Sequence, residues 1–157
     1  MKFQKSSRHH KLTGYFGESL VLYWLSRHGF ECALVDHTGI DIIARRPDSE
    51  EVMGISVKSR SRSAGTEATS LKIEKVEVLK VEQACHAFGC IPYWALVIDA
   101  GGVIQVFILS QEHLLTIYPG GNSIIAWQMS PRRLEQYRAD PEIKRFEFRV
   151  QPGTWWE

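Results

Sequence analysis

No stretch of the 157-residue chain is apolar for long enough to cross a bilayer as a helix. The opening residues Met1-Lys2-Phe3-Gln4-Lys5 lack the apolar core of a signal peptide, which points to the cytoplasm. Cysteine is scarce: three in all, an odd number that offers no disulfide framework and suits a reducing compartment. No Gly-rich phosphate loop, dinucleotide-binding fingerprint or serine-nucleophile elbow occurs, so the commonest nucleotide-binding and acyl-transfer classes drop out. Neither sign of charge is in excess, with a formal net charge of +1.

What is there is an ordinary globular composition, 44% hydrophobic and 24% charged, enough to build one core over residues 1–157 as a single domain. The charge is unevenly spread. Residues 1–62 hold ten Lys/Arg against seven Asp/Glu and residues 63–157 nine against eleven, so the first part is the more basic. That asymmetry is compatible with phosphate binding on one face.

Residues 1–12 read as a loose basic arm. The chain from Thr13 to about His28 reads as a helix, with Thr13 as N-cap and Gly29 as stop, and apolar groups on both faces predict that it is largely buried. Short strands follow at Phe30–Val35, Gly39–Arg46 and Val52 to about Arg60, then a polar loop at 59–66. A second helix runs from Glu74 to Phe88 and is stopped by Gly89. Two strands, Pro92–Asp99 and Val103–Leu109, flank Ala100-Gly101-Gly102 as a hairpin. A loop at Pro119-Gly120-Gly121-Asn122, a strand at Ile124–Met129, a short helix opened by Ser130-Pro131 and a strand at Ile143–Val150 complete the chain before Trp155-Trp156. The order implies an α/β fold with a central mixed sheet flanked by helices, a core over 13–98 and extra C-terminal strands over 99–157.

The chemistry concentrates in one hairpin, Gly39-Ile40-Asp41-Ile42-Ile43-Ala44 and Gly54-Ile55-Ser56-Val57-Lys58. If Arg46 pairs with Glu51, Asp41 stands opposite Ser56, and alternation puts Ser56, Lys58, Arg60 and Arg62 on the face of Asp41, with Ile40, Ile42, Ile55 and Val57 on the other. Glu18 sits on the inner face of the first helix among Tyr15, Val21 and Leu22, an expensive place for a carboxylate unless it is paired or holds a cation. Two carboxylates and an ammonium suit a divalent ion held against a phosphodiester. Magnesium prefers oxygen ligands and keeps several waters, and a lysine can stabilise the negative transition state.

Gly17-Glu18, Gly39-Ile40-Asp41 and Ser56-Val57-Lys58, in this order relative to helix and hairpin, resemble the PD-(D/E)XK nuclease superfamily. The likeness is to its restriction-endonuclease-like and Holliday-junction-resolvase-like members, over about residues 13–98. The resemblance implies a restriction-endonuclease-like core and a metal-dependent phosphodiesterase acting on nucleic acid, DNA more than RNA. It implies Glu18 and Asp41 as metal ligands with the Val57 carbonyl, and Lys58 as the catalytic lysine. Ser56 stands where the superfamily has Asp, Glu or Gln, and would ligate weakly or through a water, so Mg²⁺ or Mn²⁺ would bind weakly. Some members supply the acid from the next helix, where Glu74, Glu77 and Gln83 are available. A catalytically inactive nucleic-acid-binding module, and a structural or interaction domain, are the alternatives.

Arg60 and Arg62, with Arg8 and Lys11 of the arm, are candidate contacts to a nucleic-acid backbone; a solvated strand end and a loose basic terminus are the plain readings. Trp94 reads as core. Cys85, His86 and Cys90 lack zinc-finger spacing. His28, His37 and His113 have no partner visible in the sequence. Trp155 and Trp156 read as packed on the domain or on a second copy, and a homodimer suits an enzyme cutting both strands.

Overall fold

Residues 4–120 and 123–154 are described by a computed structural model. Lys2 of the arm, the loop residues Gly121 and Asn122, and the Trp155-Trp156 pair lie outside the described residues. The chain begins with helix α1 (His9–Arg27) and continues through strands β1 (Glu31–Leu34), β2 (Ile42–Arg45), β3 (Val52–Ser61) and β4 (Leu71–Glu74). Helix α2 (Lys75–Phe88), strands β5 (Ile91–Ala100) and β6 (Val103–Ser110), helix α3 (Gln111–Ile117), strand β7 (Ile124–Trp127), helix α4 (Pro131–Ala139) and strand β8 (Lys144–Arg149) complete it.

Six strands form one sheet in the order β1-β2-β3-β5-β6-β8, and β4 pairs with β7 apart from it. Within the large sheet only β3 and β5 run parallel, so it is mixed, as the element order implied. α1 lays Val21 and Leu25 on one face, over Ile42, Ile55, Ala95 and Val97. The other face carries Trp94, Leu96 and Phe107 beneath α2, with the β4–β7 pair and α4 adding Leu71, Trp127 and Tyr137. Trp94 is core as expected, its indole N–H donating to Gln111 Oε1 at 2.9 Å.

The expected hairpin between β5 and β6 turns at Gly101 and Gly102, both at positive φ (61° and 74°). α2 ends at Gly89 in the left-handed region and opens on a capping box, with Glu74 as N-cap and Glu77 three residues on. α4 starts as read, with Ser130 accepting from Arg133 N and proline in the first turn.

Three expectations need correction. Residues 9–12 belong to α1 rather than to an arm, and Thr13 caps nothing: its hydroxyl donates back to His9 O at 2.7 Å. α1 is not largely buried, because one helix can lay only one stripe on a sheet; Gly17, Val21 and Leu25 form that stripe, and Tyr15, Phe16 and Tyr23 stay about half exposed. β4 and α3 are additional elements. β4 alternates buried and exposed residues, but over only four positions in front of a helix signal, so its period is too short to stand out.

Gly39 fixes how the chain enters β2. Its φ is +114°, and a Cβ there would run into the backbone carbonyl of Lys80 on α2. Gly39→Ala should therefore destabilise the fold by roughly 2 kcal/mol or more. A urea midpoint unchanged from wild type would show that the approach of α2 to this bend is not constrained.

Candidate functional site

The expected hairpin register is the observed one. Arg46 N donates to Glu51 O, and Ile42 faces Ile55, which leaves Asp41 opposite Ser56. Asp41 lies just outside β2 yet continues its bonding: its N–H donates to Ile55 O at 2.8 Å, and its carbonyl accepts from Val35 N at 2.9 Å. The Asp41 carboxylate then accepts the N–H of Val57 at 2.7 Å. Beyond Ile55, strand β3 pairs only with β5, so Ser56 to Ser61 present an open edge on the β2 side.

The faces divide nearly as read. Ser56 and Lys58 stand beside Trp94 and Leu96 of β5, on the side covered by α2, while Ile42, Ile55 and Val57 join the cluster under α1. Ile40 departs from the expected pattern. It is buried in the other cluster, because the chain bends between Gly39 and Asp41 and the alternation of a regular strand lapses there.

Glu18 on α1 lies near enough to Asp41, at the start of β2, to feel its charge. Burial and the nearby charge of Asp41 push the Glu18 carboxyl above its ordinary range. Burial pushes Asp41 up as well, and the N–H of Val57 pulls it partly back. Neither carboxylate has a Lys or Arg partner among the described residues. Lys58 is engaged elsewhere: its ammonium lies 2.6 Å from both oxygens of Glu77, with the lysine side chain 12% exposed and the glutamate 35%. Burial raises the Glu77 carboxyl, but the bond from Lys58, the N–H of Glu74 and the charges of Lys58 and Arg60 outweigh it and hold that carboxyl low. Of the two acids on α2, Glu77 stands beside the lysine, whereas Glu74 is the N-cap.

The four basic residues fare differently. Arg60 is partly buried and donates to Ser59 O at 2.7 Å. Arg62 is bound to the loop after β3, donating to Thr69 O and Ser70 O at 3.2 and 3.0 Å, so its guanidinium is not free to track phosphates as expected. Arg8 and Lys11 are exposed at the start of α1, Lys11 over the ring of Tyr15.

Away from the hairpin, His113 finds partners that no sequence signal announced. Its Nε2 lies 2.7 Å from Asp140 and its Nδ1 2.9 Å from Glu142, joining α3 to the segment between α4 and β8. These three side chains form a compact group of ligand type. With a carboxylate at each ring nitrogen, the imidazole clamps α3 to this segment. His37 packs edge-on against Phe88.

No family model matches the chain, and no curated protein does. Among solved structures it is similar to Hjc of Archaeoglobus fulgidus, a Holliday junction resolvase from an archaeal hyperthermophile. Identity is 17%, the TM-score is 0.50, and the match covers 75% of this chain and 91% of the resolvase. At this identity the likeness is one of fold: the α/β arrangement with a mixed sheet flanked by helices, expected from the order of the motifs, is the fold found.

The carboxylate pair has a defined pH signature. A carboxyl whose folded pKa is raised destabilises the folded state once ionised, so this penalty is absent at low pH and appears as pH rises through the folded pKa. Asp41→Asn keeps an acceptor for Val57 N and removes the charge. It should lower the Glu18 titration midpoint, read by ¹³C NMR, and match or exceed wild-type stability at pH 7. The difference in stability should vanish towards about pH 4, where unfolded Asp also protonates. An unmoved Glu18 midpoint would mean that the two carboxylates do not interact.

Proposed function

We propose that this chain is a metal-dependent nuclease that hydrolyses phosphodiester bonds in nucleic acid, DNA in preference to RNA. One observation carries the reading. Glu18 and Asp41 are both partly buried, Glu18 within range of the charge of Asp41, neither has a Lys or Arg partner among the described residues, and Asp41 is bonded to the strand that bears Lys58. Such a pair is destabilising unless a cation completes it.

The donor set fits a hard divalent ion. Glu18, Asp41 and the Val57 carbonyl would hold Mg²⁺ or Mn²⁺, and Ser56 would contribute weakly or through a water, so affinity is modest. A bound magnesium would neutralise charge on the phosphate and acidify an attacking water. Lys58 stabilises the charge that builds on the phosphate oxygens. Glu77 holds the Lys58 ammonium in place through both oxygens and supplies, from α2, an acid that position 56 lacks. Arg60, Lys11 and Arg8 contact the nucleic-acid backbone; Arg62 contributes less, because loop carbonyls occupy it. The similarity of fold to a Holliday junction resolvase supports branched DNA as the substrate, and a homodimer suits an enzyme that cuts both strands.

A second reading is a catalytically inactive nucleic-acid-binding module. It is favoured by the neutral Ser56 and by the full engagement of Lys58 with Glu77.

Cleavage separates the two. In Mg²⁺ or Mn²⁺ the wild-type protein should cut supercoiled plasmid or a four-way junction, and Lys58→Ala should be slower by about 10²–10³-fold. Metal at a hundredfold above its Kd should stabilise wild type by about 2.7 kcal/mol and Asp41→Asn much less. Ser56→Asp should bind the metal more tightly than wild type. No cutting in either metal, with salt-dependent DNA binding intact, would replace the nuclease reading by the binding module.

A further inference from the structure

A cavity of about 520 Å³ lies by the last turns of α1, at the end of the sheet where β3 and β5 begin. That volume falls within the roughly 300–1,000 Å³ of small-molecule sites. None of Glu18, Asp41, Lys58 and Glu77 lines it. Met53, which does, precedes Lys58 by five residues on β3, about 16 Å along the strand.

The way α1 is laid down shapes this cavity. The helix packs mainly on β3 and β1. Trp24 reaches from it to β8 and lies flat on Phe146, with ring centroids 4.0 Å apart and planes at 16°. Leu25, Met53 and Ile108, none more than 5% exposed, give the cavity an apolar floor. Tyr93 adds a third ring to the lining, its hydroxyl being committed to Glu51 Oε1 at 2.8 Å.

Charge around the cavity is unequal. Arg46 meets Asp48 and Glu51 only at 3.9 and 3.8 Å, too long for hydrogen bonds. Its guanidinium therefore has no hydrogen-bonded carboxylate among the described residues, and the side chain is 45% exposed. Lys144 gives one of its three N–H donors to Pro141 O at 2.7 Å. The one acid in the lining, Glu142, is engaged by His113 Nδ1 at 2.9 Å. Two cations with unspent donors, an apolar floor and three rings suit a flat, mainly apolar ligand that carries negative charge.

From this geometry we infer that the cavity binds a small planar aromatic carboxylate. Its rings would lie against Trp24, Tyr93 and Phe146, and its carboxylate would meet Arg46 and Lys144. A guanidinium can give two parallel N–H···O bonds to a carboxylate, which fixes the orientation of a flat ligand. A flexible fatty acid would meet the same cations but lose rotamer freedom on binding, which a rigid ring system does not. The inference is independent of the nuclease reading, because the two sites share no residue.

The probe is 1-naphthoate, with 1-naphthalenemethanol as its neutral counterpart and octanoate as a flexible anion. On the full chain labelled with ¹³C at the methionine methyls, 1-naphthoate should shift the Met53 signal saturably, with a Kd of about 1 mM or tighter. Met129 lies in the other core cluster, so its signal should stay in place. The alcohol should bind about tenfold more weakly, the difference expected for a hydrogen bond to a charged group. Arg46→Gln should weaken 1-naphthoate about tenfold and leave the alcohol unchanged. Phe146→Leu, which keeps an apolar side chain and removes the ring, should weaken both. Equal affinity for 1-naphthoate and the alcohol, with Arg46→Gln silent, overturns the anionic assignment. Octanoate binding as tightly as 1-naphthoate overturns the aromatic one. A Met53 signal that follows protein concentration and ignores all three probes would mean that a second copy covers the cavity, and overturns the inference. So does the absence of any saturable response, whether or not the protein cuts DNA.

Discussion

Four paired positions between β2 and β3, from Ile42 opposite Ile55 to Arg45 opposite Val52, decide where each charged group of the site stands. Ile42 and Ile55 are fully buried under α1. Burying such a side chain contributes about 1.5–3 kcal/mol, so a slip by one residue would forfeit both and turn Lys58 away from α2. The register is thus held by apolar residues that take no part in chemistry.

The unequal lengths of the two strands create the site. β2 has four residues and β3 ten, so the partner of β3 runs out at Ile55. At the next free N–H, that of Val57, the acceptor is the side chain of Asp41 rather than a backbone carbonyl. A carboxylate is thereby fixed at the end of the ladder. Beyond it β3 has no strand partner on this side, and the carbonyls of Ser59 and Ser61 accept from the side chains of Arg60 and Lys5. A longer β2 would satisfy the same N–H and close the edge to a substrate.

The electrostatics fall into two groups, one compensated and one not. On the α2 side Lys58 and Glu77 neutralise each other at 2.6 Å, and the capping box at the head of α2 holds Glu77 through the N–H of Glu74. Glu18 feels both burial and the charge of Asp41, and burial raises Asp41 itself. If Lys58 turned to Asp41 instead, the acidic pair would lose its call for a cation.

The fold and half of the site were legible in the chain because they rest on local signals. Alternating apolar residues either side of Pro47-Asp48-Ser49-Glu50 set the hairpin and its register, and so put Asp41 opposite Ser56. Gly89 marked a helix end because its backbone is left-handed, and Ser130-Pro131 a helix start because the serine hydroxyl accepts from Arg133 N and proline fits the first turn. Tertiary structure alone decided the rest. Glu77 rather than Glu74 meets Lys58, because the two acids sit three positions apart on one helix and only its docking angle separates them. Arg62, equivalent to Arg60 by alternation, is taken by the carbonyls of Thr69 and Ser70, since a loop folded back over it. His113 meets Asp140 and Glu142 over a separation of more than twenty residues that no pattern records. Ser59 reads as a polar residue in a basic run; packing against Gly17 buried it and left its hydroxyl without a partner. Periodicity and turn chemistry are written in neighbouring residues, whereas the pairing of charges depends on where separate elements come to rest.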